Sequence, residues 1–141
     1  MIRKHLATIV RQGNLYRKSA LENVPTAYPV SLMEIADHPG LSQDQLAQLM
    51  GFDKSNAARR VAALEAEGMI VRTPSPRDKR VMELRLTPQG EALLPPIREA
   101  LARWDKCLTQ DLSNEERALL DSLLARMEAR AMSWSKEEKH V

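Results

Sequence analysis

The strongest constraint on the fold of this chain is the change in apolar periodicity at Gly68. Before Gly68, apolar residues recur at helical intervals. After it, the segment MIVRT has the character of a short strand, and Met82, Leu84 and Leu86 alternate along a second segment, as one buried strand face requires. A proline-bordered turn at residues 74–80 separates the two segments. The sequence therefore predicts a helix followed at once by a β-hairpin.

Four helices are predicted before the hairpin. Ser42 and Gln45 have the spacing of a capping box, and Asp53 is a second candidate for an N-cap. Pro25 ends the first helix, whereas Pro29 fits the first turn of the second. The predicted helices cover residues 2–22, 29–37, 43–50 and 54–67.

Two further helical segments are predicted after the hairpin. Thr87 and Pro88 supply an N-cap and a first-turn proline, and the Pro-Pro pair at residues 95–96 should kink this helix or split off its first turns. A final helix begins at Ser113, where Glu116 completes another capping box. Apolar residues of the long helix recur at spacings of 3, 4, 3 and 4, as in a coiled-coil seam: Leu94, Ile97, Leu101, Trp104 and Leu108.

These elements predict a mainly α fold with a small β-hairpin wing, in which a winged helix-turn-helix lobe joins a helical dimerisation domain. The first and last helices pack either on each other or on a second copy of the chain, and the seam favours a second copy. The residues assigned to that dimer interface are Leu6, Leu101, Trp104, Leu108, Leu120, Leu124 and Met127. The predicted parts are an N-terminal dimerisation helix with its connector (1–27), the lobe (28–87), the C-terminal dimerisation helices (88–135) and a flexible tail (136–141).

The fourth predicted helix has a surface that suits the major groove of DNA. At about 100° per residue, Ser55 and Arg59 lie opposite the apolar face and are followed by alanines, with Asn56 on the flank. Short polar groups and an arginine at the leading end, with nothing bulky behind them, are typical of a recognition helix. On this feature alone, an alanine-rich solvated helix is an equal alternative. The apolar face consists of Ala57, Val61 and Leu64.

The net charge of +2 does not by itself indicate a nucleic-acid ligand, but the charge is unevenly distributed. The hairpin tip concentrates Arg77, Lys79 and Arg80, and a wing placed after a recognition helix can reach the DNA backbone or minor groove. Asp78 is expected to pair with Arg80 or to bond turn amides. A tip charged for solubility alone is the alternative. The first 18 residues are also basic, with no acid among them: Arg3, Lys4, Arg11, Arg17 and Lys18.

Other functional classes have little support in the sequence. The single Cys107 excludes an internal disulfide, and no His/Cys/Asp/Glu cluster has metal-ligand spacing, so neither a metal nor another cofactor is expected. No nucleophile elbow or phosphate-binding glycine loop indicates an enzyme. Neither a signal peptide nor a membrane span is recognisable, which predicts a cytoplasmic protein. Cys107 falls on the seam, where a buried structural thiol is favoured over a redox sensor.

From about Tyr28 to Met132 the chain resembles the MarR family of winged helix-turn-helix regulators. The resemblance is carried by LSQDQLAQLMGFDKSNAARRVAALEAEGMIVRTPSPRDKRVMELRLTPQG, and most specifically by LEAEGMIVR, LRLTPQG and the pair Asp78 and Arg80. The segment LSNEER at residues 112–117 supports it. The resemblance implies a homodimer that binds a pseudo-palindromic operator in double-stranded DNA. It also implies repression, and release by a small effector, often a phenolic or lipophilic acid.

The resemblance further implies roles for individual residues. Ser55, Asn56 and Arg59 match base- and phosphate-contacting positions of the recognition helix. Arg80 matches a wing arginine inserted into the minor groove, and Asp78 matches its supporting acid. The full set assigned to DNA contact is Ser42, Gln43, Lys54, Ser55, Asn56, Arg59, Arg60, Arg77, Asp78, Lys79 and Arg80.

The fourth helix departs from the family pattern at three positions. Ala58 stands where the family often has threonine and Ala63 where it often has a basic residue, so base readout is expected to be narrower or differently placed. Arg60 replaces a usual leucine and is expected to reach toward phosphate or to pair with an acid. The segment before Tyr28 is also short, which predicts a reduced N-terminal part of the dimer interface.

Two alternatives stay open from the sequence. Tyr16 and Trp104 are candidate effector contacts, although an aromatic residue on an apolar helix stripe is more often part of a core. A winged-helix adaptor that binds protein without DNA is the alternative function. Salt dependence separates the two functions, because contacts to phosphate release counterions. The basic wing and Arg59 favour DNA.

Overall fold

The computed structural model describes the backbone of residues 1–138 and the side chains of residues 1–134. Within these residues the chain is mainly helical with one two-stranded antiparallel hairpin, as predicted. No helix among them is both long enough and apolar enough to cross a membrane. The elements are α1 (Ile2–Ala20), α2 (Pro29–Asp37), α3 (Gln43–Met50), α4 (Lys54–Ala66), β1 (Ile70–Pro74), β2 (Met82–Leu86), α5 (Pro88–Glu91), α6 (Leu94–Leu108) and α7 (Asn114–Glu138).

Side-chain caps fix the start of α3 and of α4. The Ser42 hydroxyl accepts the Gln45 amide N–H at 3.2 Å, and Gln45 Oε1 accepts the Ser42 N–H at 2.9 Å, so the predicted capping box is confirmed. The Asp53 carboxylate accepts the Asn56 N–H at 2.7 Å. Gly51 ends α3 in the left-handed region with φ 69°, which L side chains rarely adopt. These local signals place α3 and α4 on either side of a short turn.

The hairpin pairs Ile70 with Leu86 and Arg72 with Leu84. Leu84 is buried and Leu86 is half-buried, as the alternation predicts. Met82 lies on the same strand but is 40% exposed, so its predicted place on the buried face is wrong. The reason is its position at the distal end of the hairpin, opposite Pro74 and beyond the core.

One apolar core lies within residues 1–104, which form a compact unit. Leu21, Ile97 and Ala100 belong to the same buried cluster as the residues of the winged lobe. Residues on both sides of the predicted boundary at residue 87 therefore share this core. The functional division into four parts stays a prediction. Fully buried large side chains of the core include Leu32, Ile35, Leu46, Val61, Leu64, Ile70 and Leu84.

The helix that follows the hairpin is split, as the prolines predict. The Thr87 hydroxyl accepts the Gly90 N–H at 3.1 Å and so caps α5. A two-residue turn then separates α5 from α6, whose second and third residues are prolines. Along the predicted seam Ile97 is buried and Leu108 is exposed. Cys107 is exposed in the single chain, and its predicted burial on a seam between two copies stays a prediction.

Residues 105–141 form a second compact unit. The predicted capping box of α7 is present, with the Ser113 N–H donating to Glu116 Oε1 at 2.8 Å and the Glu116 N–H donating to the Ser113 hydroxyl at 3.1 Å. The Arg117 guanidinium donates two hydrogen bonds to the Thr109 carbonyl. Helix α7 continues to Glu138, and residues 139–141 lie outside the described residues, so the predicted flexible tail stays a prediction.

Candidate nucleic-acid interface

Helix α4 buries one face and exposes the opposite one, as its sequence predicts. Ala57, Val61 and Leu64 are completely inaccessible to solvent. Burying a side chain such as that of Leu64 contributes about 1.5–3 kcal/mol and fixes the rotation of the helix on the lobe. That rotation leaves Ser55 and Arg59 exposed on the other face. Lys54, the first residue of α4, is exposed as well.

Asn56 and Arg60 form a pair on the flank of α4. The Arg60 Nε–H donates to Asn56 Oδ1 at 2.9 Å, across one helical turn. The Arg60 guanidinium carbon lies 4.6 Å from the centre of the Tyr28 ring and 4.1 Å from that of Phe52. The expected acid partner of Arg60 is therefore replaced by two aromatic rings. Its predicted contact with phosphate stays a prediction.

The sequence-based interpretation missed Tyr28 and Phe52 as part of this interface. Contacts between a guanidinium and an aromatic face contribute about 0.5–2 kcal/mol, depending on their exposure. Two such contacts keep the Arg60 side chain against the start of α2 and the α3–α4 turn. Phe52 is the single phenylalanine of a chain with 4% aromatic residues, and its place in the turn next to α4 was the available signal.

The hairpin tip, defined as residues 75–81, is organised by Ser75 and Asp78. The Ser75 N–H donates to the Val81 carbonyl at 2.8 Å. Asp78 Oδ1 accepts the Arg80 backbone N–H at 3.0 Å and the Arg80 Nε–H at 3.1 Å, while Oδ2 accepts a terminal guanidinium N–H at 3.2 Å. Both alternatives predicted for Asp78, pairing with Arg80 and bonding a turn amide, are thus confirmed.

The contact with Arg80 also changes the acidity of Asp78. Hydrogen bonds from the Arg80 side chain and then from its backbone amide lower the pKa of the Asp78 carboxyl below its ordinary value. Asp78 is therefore fully ionised at neutral pH. The Arg80 side chain itself is 91% exposed, so the pair presents an extended arginine to solvent.

The cations of the wing strands and those of the tip differ in their pairing. Arg72 lies 3.4 Å from a Glu65 carboxylate oxygen, and Arg85 lies 2.7 Å from one of Glu83. By contrast, among the exposed cations of the tip and of the outer face of α4, only Arg80 has an ion pair within the described part of the chain. The unneutralised positive charge therefore lies on Lys54, Arg59, Arg77 and Lys79.

Ser42 and Gln43 lie at the start of α3. The amide and hydroxyl of Ser42 are engaged in the capping box, although its hydroxyl proton stays available to an acceptor. Gln43 Oε1 is buried and has no hydrogen-bond partner among the described residues. The predicted contacts of both residues with the DNA backbone stay predictions.

Tyr16 and Trp104 join α1 to α6. Their rings stack with centroids 4.9 Å apart, and the Tyr16 hydroxyl donates to the Ala100 carbonyl at 2.7 Å. Gly13 allows this approach, since a Cβ there would lie 3.3 Å from the Trp104 ring nitrogen. Neither aromatic residue lines the two cavities described next. Their contacts give them a packing role, and their predicted contact with an effector stays a prediction.

Two of the cavities on the unit formed by residues 1–104 have the volume of a small-molecule site. One is an open groove of about 630 Å³ along α1, lined by Leu6 and Val10 among others. The second, of about 440 Å³, lies between α2, β2 and α6, with Leu84 at its wall and Arg98 at its edge. Within the described residues, no group of three or more His, Cys, Asp or Glu side chains could hold a metal ion.

Comparison with known sequences identifies related regulators. The sequence profile of the MarR family matches residues 25–81. The HTH-type transcriptional regulator BilQ of Clostridium symbiosum is 32% identical over 126 residues, which are 87% of this chain and 88% of BilQ. A Thauera aromatica protein described as a transcriptional regulatory protein for the hcr operon is 43% identical over 96 residues, 68% of this chain and 58% of that protein. The chain spans about half to two thirds of the length of this protein and of two Bacillus subtilis relatives.

Comparison with solved structures agrees with the sequence matches. The crystal structure of MarR superposes with a TM-score of 0.83 and 29% identity, covering 97% of this chain and 95% of that one. PcaV of Streptomyces coelicolor, solved in complex with its natural ligand, gives a TM-score of 0.70 and 26% identity, covering 91% of this chain and 92% of PcaV. The predicted fold class, a winged helix-turn-helix lobe with additional helices, is confirmed.

Proposed function

The chain belongs to the MarR family of transcriptional regulators, and we propose that it binds a pseudo-palindromic operator in double-stranded DNA as a homodimer. We further propose that it acts as a repressor and leaves the operator when a small molecule binds. The family is one of regulators, not of enzymes.

The observation that carries the proposal is the exposed face of α4 together with the hairpin tip. Ser55 and Arg59 project from α4, whose opposite face is locked into the core. An α-helix fits the major groove, where short polar groups and arginine read base edges. The tip carries an extended Arg80 whose direction is set by Asp78, and a narrow minor groove attracts arginine through its negative potential. The two elements thus match two adjacent grooves.

The proposed dimer rests on apolar side chains that one chain leaves uncovered. Leu6 of α1, Leu108 of α6, and Leu124 and Met127 of α7 are each at least 40% exposed. Several such exposed apolar residues on α1, α6 and α7 are typical of an interface between copies rather than of a monomer surface. Leu101, Trp104 and Leu120, which are half-buried, complete the proposed interface. Twofold symmetry would place two α4 helices about 34 Å apart, one DNA turn.

The proposed effector is a small phenolic or lipophilic acid. PcaV, a structural relative, was solved with its natural ligand. The cavity between α2, β2 and α6 in this chain has about 440 Å³, which is within the range of small-molecule sites. Its wall includes apolar residues and Arg98, a cation that is paired with Asp37 at 2.6 Å and would exchange this partner for the acid. An effector would release DNA by binding better to the dimer conformation whose recognition helices no longer fit successive grooves.

A protein-binding adaptor with the same fold is the second candidate function, and salt dependence separates the two. Operator fragments are first selected from the DNA of the source genome, and binding is then followed by fluorescence anisotropy between 50 and 200 mM salt. A DNA reader loses affinity steeply, about a thousandfold for six phosphate contacts. No binding even at low salt would favour the adaptor.

A matched pair of arginine variants makes the salt experiment specific. Arg59→Ala should weaken binding and reduce the salt slope by about one unit per lost phosphate contact. Arg126→Ala removes the same charge from an exposed position on α7 and should leave the slope unchanged. Equal effects of the two changes would contradict a contact between α4 and DNA. Small acids are then screened for release of the labelled operator.

A further inference from the structure

The pairing of Arg60 with Asn56 determines which hydrogen-bonding group α4 can offer to a base. We propose that Arg60 is a positioning residue: it holds Asn56 Oδ1 and leaves the Asn56 side-chain NH₂ as a donor for base readout. The contacted base is then one with a major-groove acceptor, and cytosine is disfavoured. This inference rests on the proposed DNA-binding function.

The orientation of the Asn56 amide follows from the chemistry of its partner. A guanidinium has N–H donors and no acceptor, so the Asn56 atom 2.9 Å from Arg60 Nε must be the carbonyl oxygen. The amide nitrogen therefore points away from Arg60. An asparagine that recognises adenine bidentately accepts from N6 with its oxygen and donates to N7 with its nitrogen. The Asn56 oxygen keeps a second lone pair, so the pair does not exclude adenine; what Arg60 fixes is the orientation of the amide, with its nitrogen as the donor offered to a base.

The Arg60 side chain and the Asn56 backbone are held before any DNA arrives. The Asn56 backbone N–H is fixed by the Asp53 carboxylate at 2.7 Å. The Arg60 guanidinium lies against the Tyr28 and Phe52 rings, at 4.6 and 4.1 Å from their centres. A side chain restrained in this way loses less rotamer freedom on binding than a free one. The restraint favours one mode of readout over the others that a mobile asparagine could adopt.

The base preference follows from the groups displayed in the major groove. Adenine presents N7, guanine presents N7 and O6, and thymine presents O4, all of which accept a hydrogen bond. Cytosine presents its N4 amino group, which is a donor and faces the Asn56 NH₂ unfavourably. Asn56 should therefore discriminate against cytosine in favour of bases with an acceptor.

The first test uses the wild-type protein and a selected operator. All four bases are placed in turn at each position of the half-site, and the affinity for each is measured. The position contacted by Asn56 is the one at which Asn56→Ala abolishes the difference in affinity between bases. We expect cytosine to bind about three- to tenfold more weakly than adenine or guanine, the effect of one hydrogen bond. Cytosine that binds as tightly as adenine and guanine at that position would overturn the inference.

The second test asks whether Arg60 acts through Asn56. Arg60→Met keeps the length of the side chain but removes the donor, and it should abolish discrimination against cytosine. When Arg60→Met is added to Asn56→Ala, the double variant should show the same base preference as Asn56→Ala alone. Phe52→Leu, which removes one ring from Arg60, should weaken discrimination in the same direction, and thermal melting of each variant confirms that it is folded. Full discrimination in folded Arg60→Met would overturn the inference.

The salt slope separates this positioning role from a direct phosphate contact of Arg60. Because Arg60 acts through Asn56, Arg60→Met should leave the slope unchanged, whereas Arg59→Met should reduce it by about one unit. A reduced slope in Arg60→Met would show that Arg60 itself neutralises a phosphate and would contradict the inference. If the wild-type protein binds no DNA, both the proposed function and this inference fail. If Arg60→Met binds DNA with the base preference of the wild type, only the positioning role of Arg60 is refuted.

Discussion

A side chain on Gly90 would overlap the carbonyl oxygen of Met69. A Cβ built there would also lie 3.1 Å from the Met69 carbonyl carbon, so α5 approaches the start of β1 backbone to backbone. Two hydrogen bonds support this approach: the Thr87 N–H donates to the Met69 carbonyl at 3.0 Å, and the Thr87 hydroxyl donates to the Gly68 carbonyl at 2.6 Å. This contact ties the helix that follows the wing to the lobe.

Gly90→Ala should therefore destabilise the protein by about 1–3 kcal/mol, the usual cost of overpacking. Gly51→Ala is the matched control, because nothing lies within 4 Å of its Cβ position and the cost is the strain of a positive φ, about 1 kcal/mol. Chemical denaturation at a fixed protein concentration measures both. A Gly90→Ala variant as stable as wild type would show that α5 does not pack this closely.

Arg80→Ala should weaken operator binding about tenfold or more, because it removes the charged donor that we propose enters the minor groove. Asp78→Asn should weaken it less, since the arginine stays but loses its carboxylate support. Anisotropy titrations with the selected operator measure both changes. Operator affinity that is unaltered in Arg80→Ala would remove the wing from the interface.

The Asp78 carboxyl should titrate at a lower pH in the wild-type protein than in Arg80→Ala. Its folded-state pKa is lowered by hydrogen bonds from Arg80, so the contribution of this pair to stability is present above the ordinary carboxyl pKa. That contribution is lost as the pH falls through the lower folded-state pKa. Carbon-13 NMR of the Asp78 carboxyl measures the midpoint in both proteins. Identical midpoints would show that the pair does not form in solution.

Tyr16→Phe should cost about 0.5–1.5 kcal/mol of stability, because it removes the hydrogen bond to the Ala100 carbonyl while keeping the stacked ring. Denaturation curves test this prediction. The same variant also tests the predicted contact of Tyr16 with the effector. The measurement compares the effector concentration that releases DNA from Tyr16→Phe with the concentration that releases it from the wild type. Unchanged stability together with lost effector release would assign Tyr16 to the ligand rather than to packing.

Leu124→Glu combined with Met127→Glu should separate the protomers. Both side chains are exposed in the single chain, and burying two carboxylates in an apolar interface is strongly unfavourable. Sedimentation equilibrium should show a dimer for the wild type and a monomer for the double variant. A dimer of undiminished affinity in the double variant would place the interface elsewhere.

The sequence predicted the elements whose cause is local. The capping boxes at Ser42 and Ser113 lie within three residues of their partners, and Gly51 ends a helix through its own backbone conformation. The alternation around Leu84 predicted the hairpin, and the apolar face containing Val61 predicted which side of α4 is exposed. Such signals need no knowledge of distant residues.

What the sequence did not predict depends on contacts between distant segments. The place of Arg60 is set by rings from the start of α2 and from the α3–α4 turn, which helical periodicity does not reveal. Met82 follows the strand alternation but lies beyond the end of the core, so alternation alone misplaced it.

The most direct test of the account is hydroxyl-radical footprinting of the selected operator with the wild-type protein. Two protomers that each insert α4 and the hairpin tip should protect a twofold-symmetric pattern. Its two centres should be about one helical turn, or 34 Å, apart, with flanking protection where the tips containing Arg80 enter the minor groove. Protection of a single asymmetric segment, or none at a protein concentration that saturates the anisotropy signal, would contradict the account.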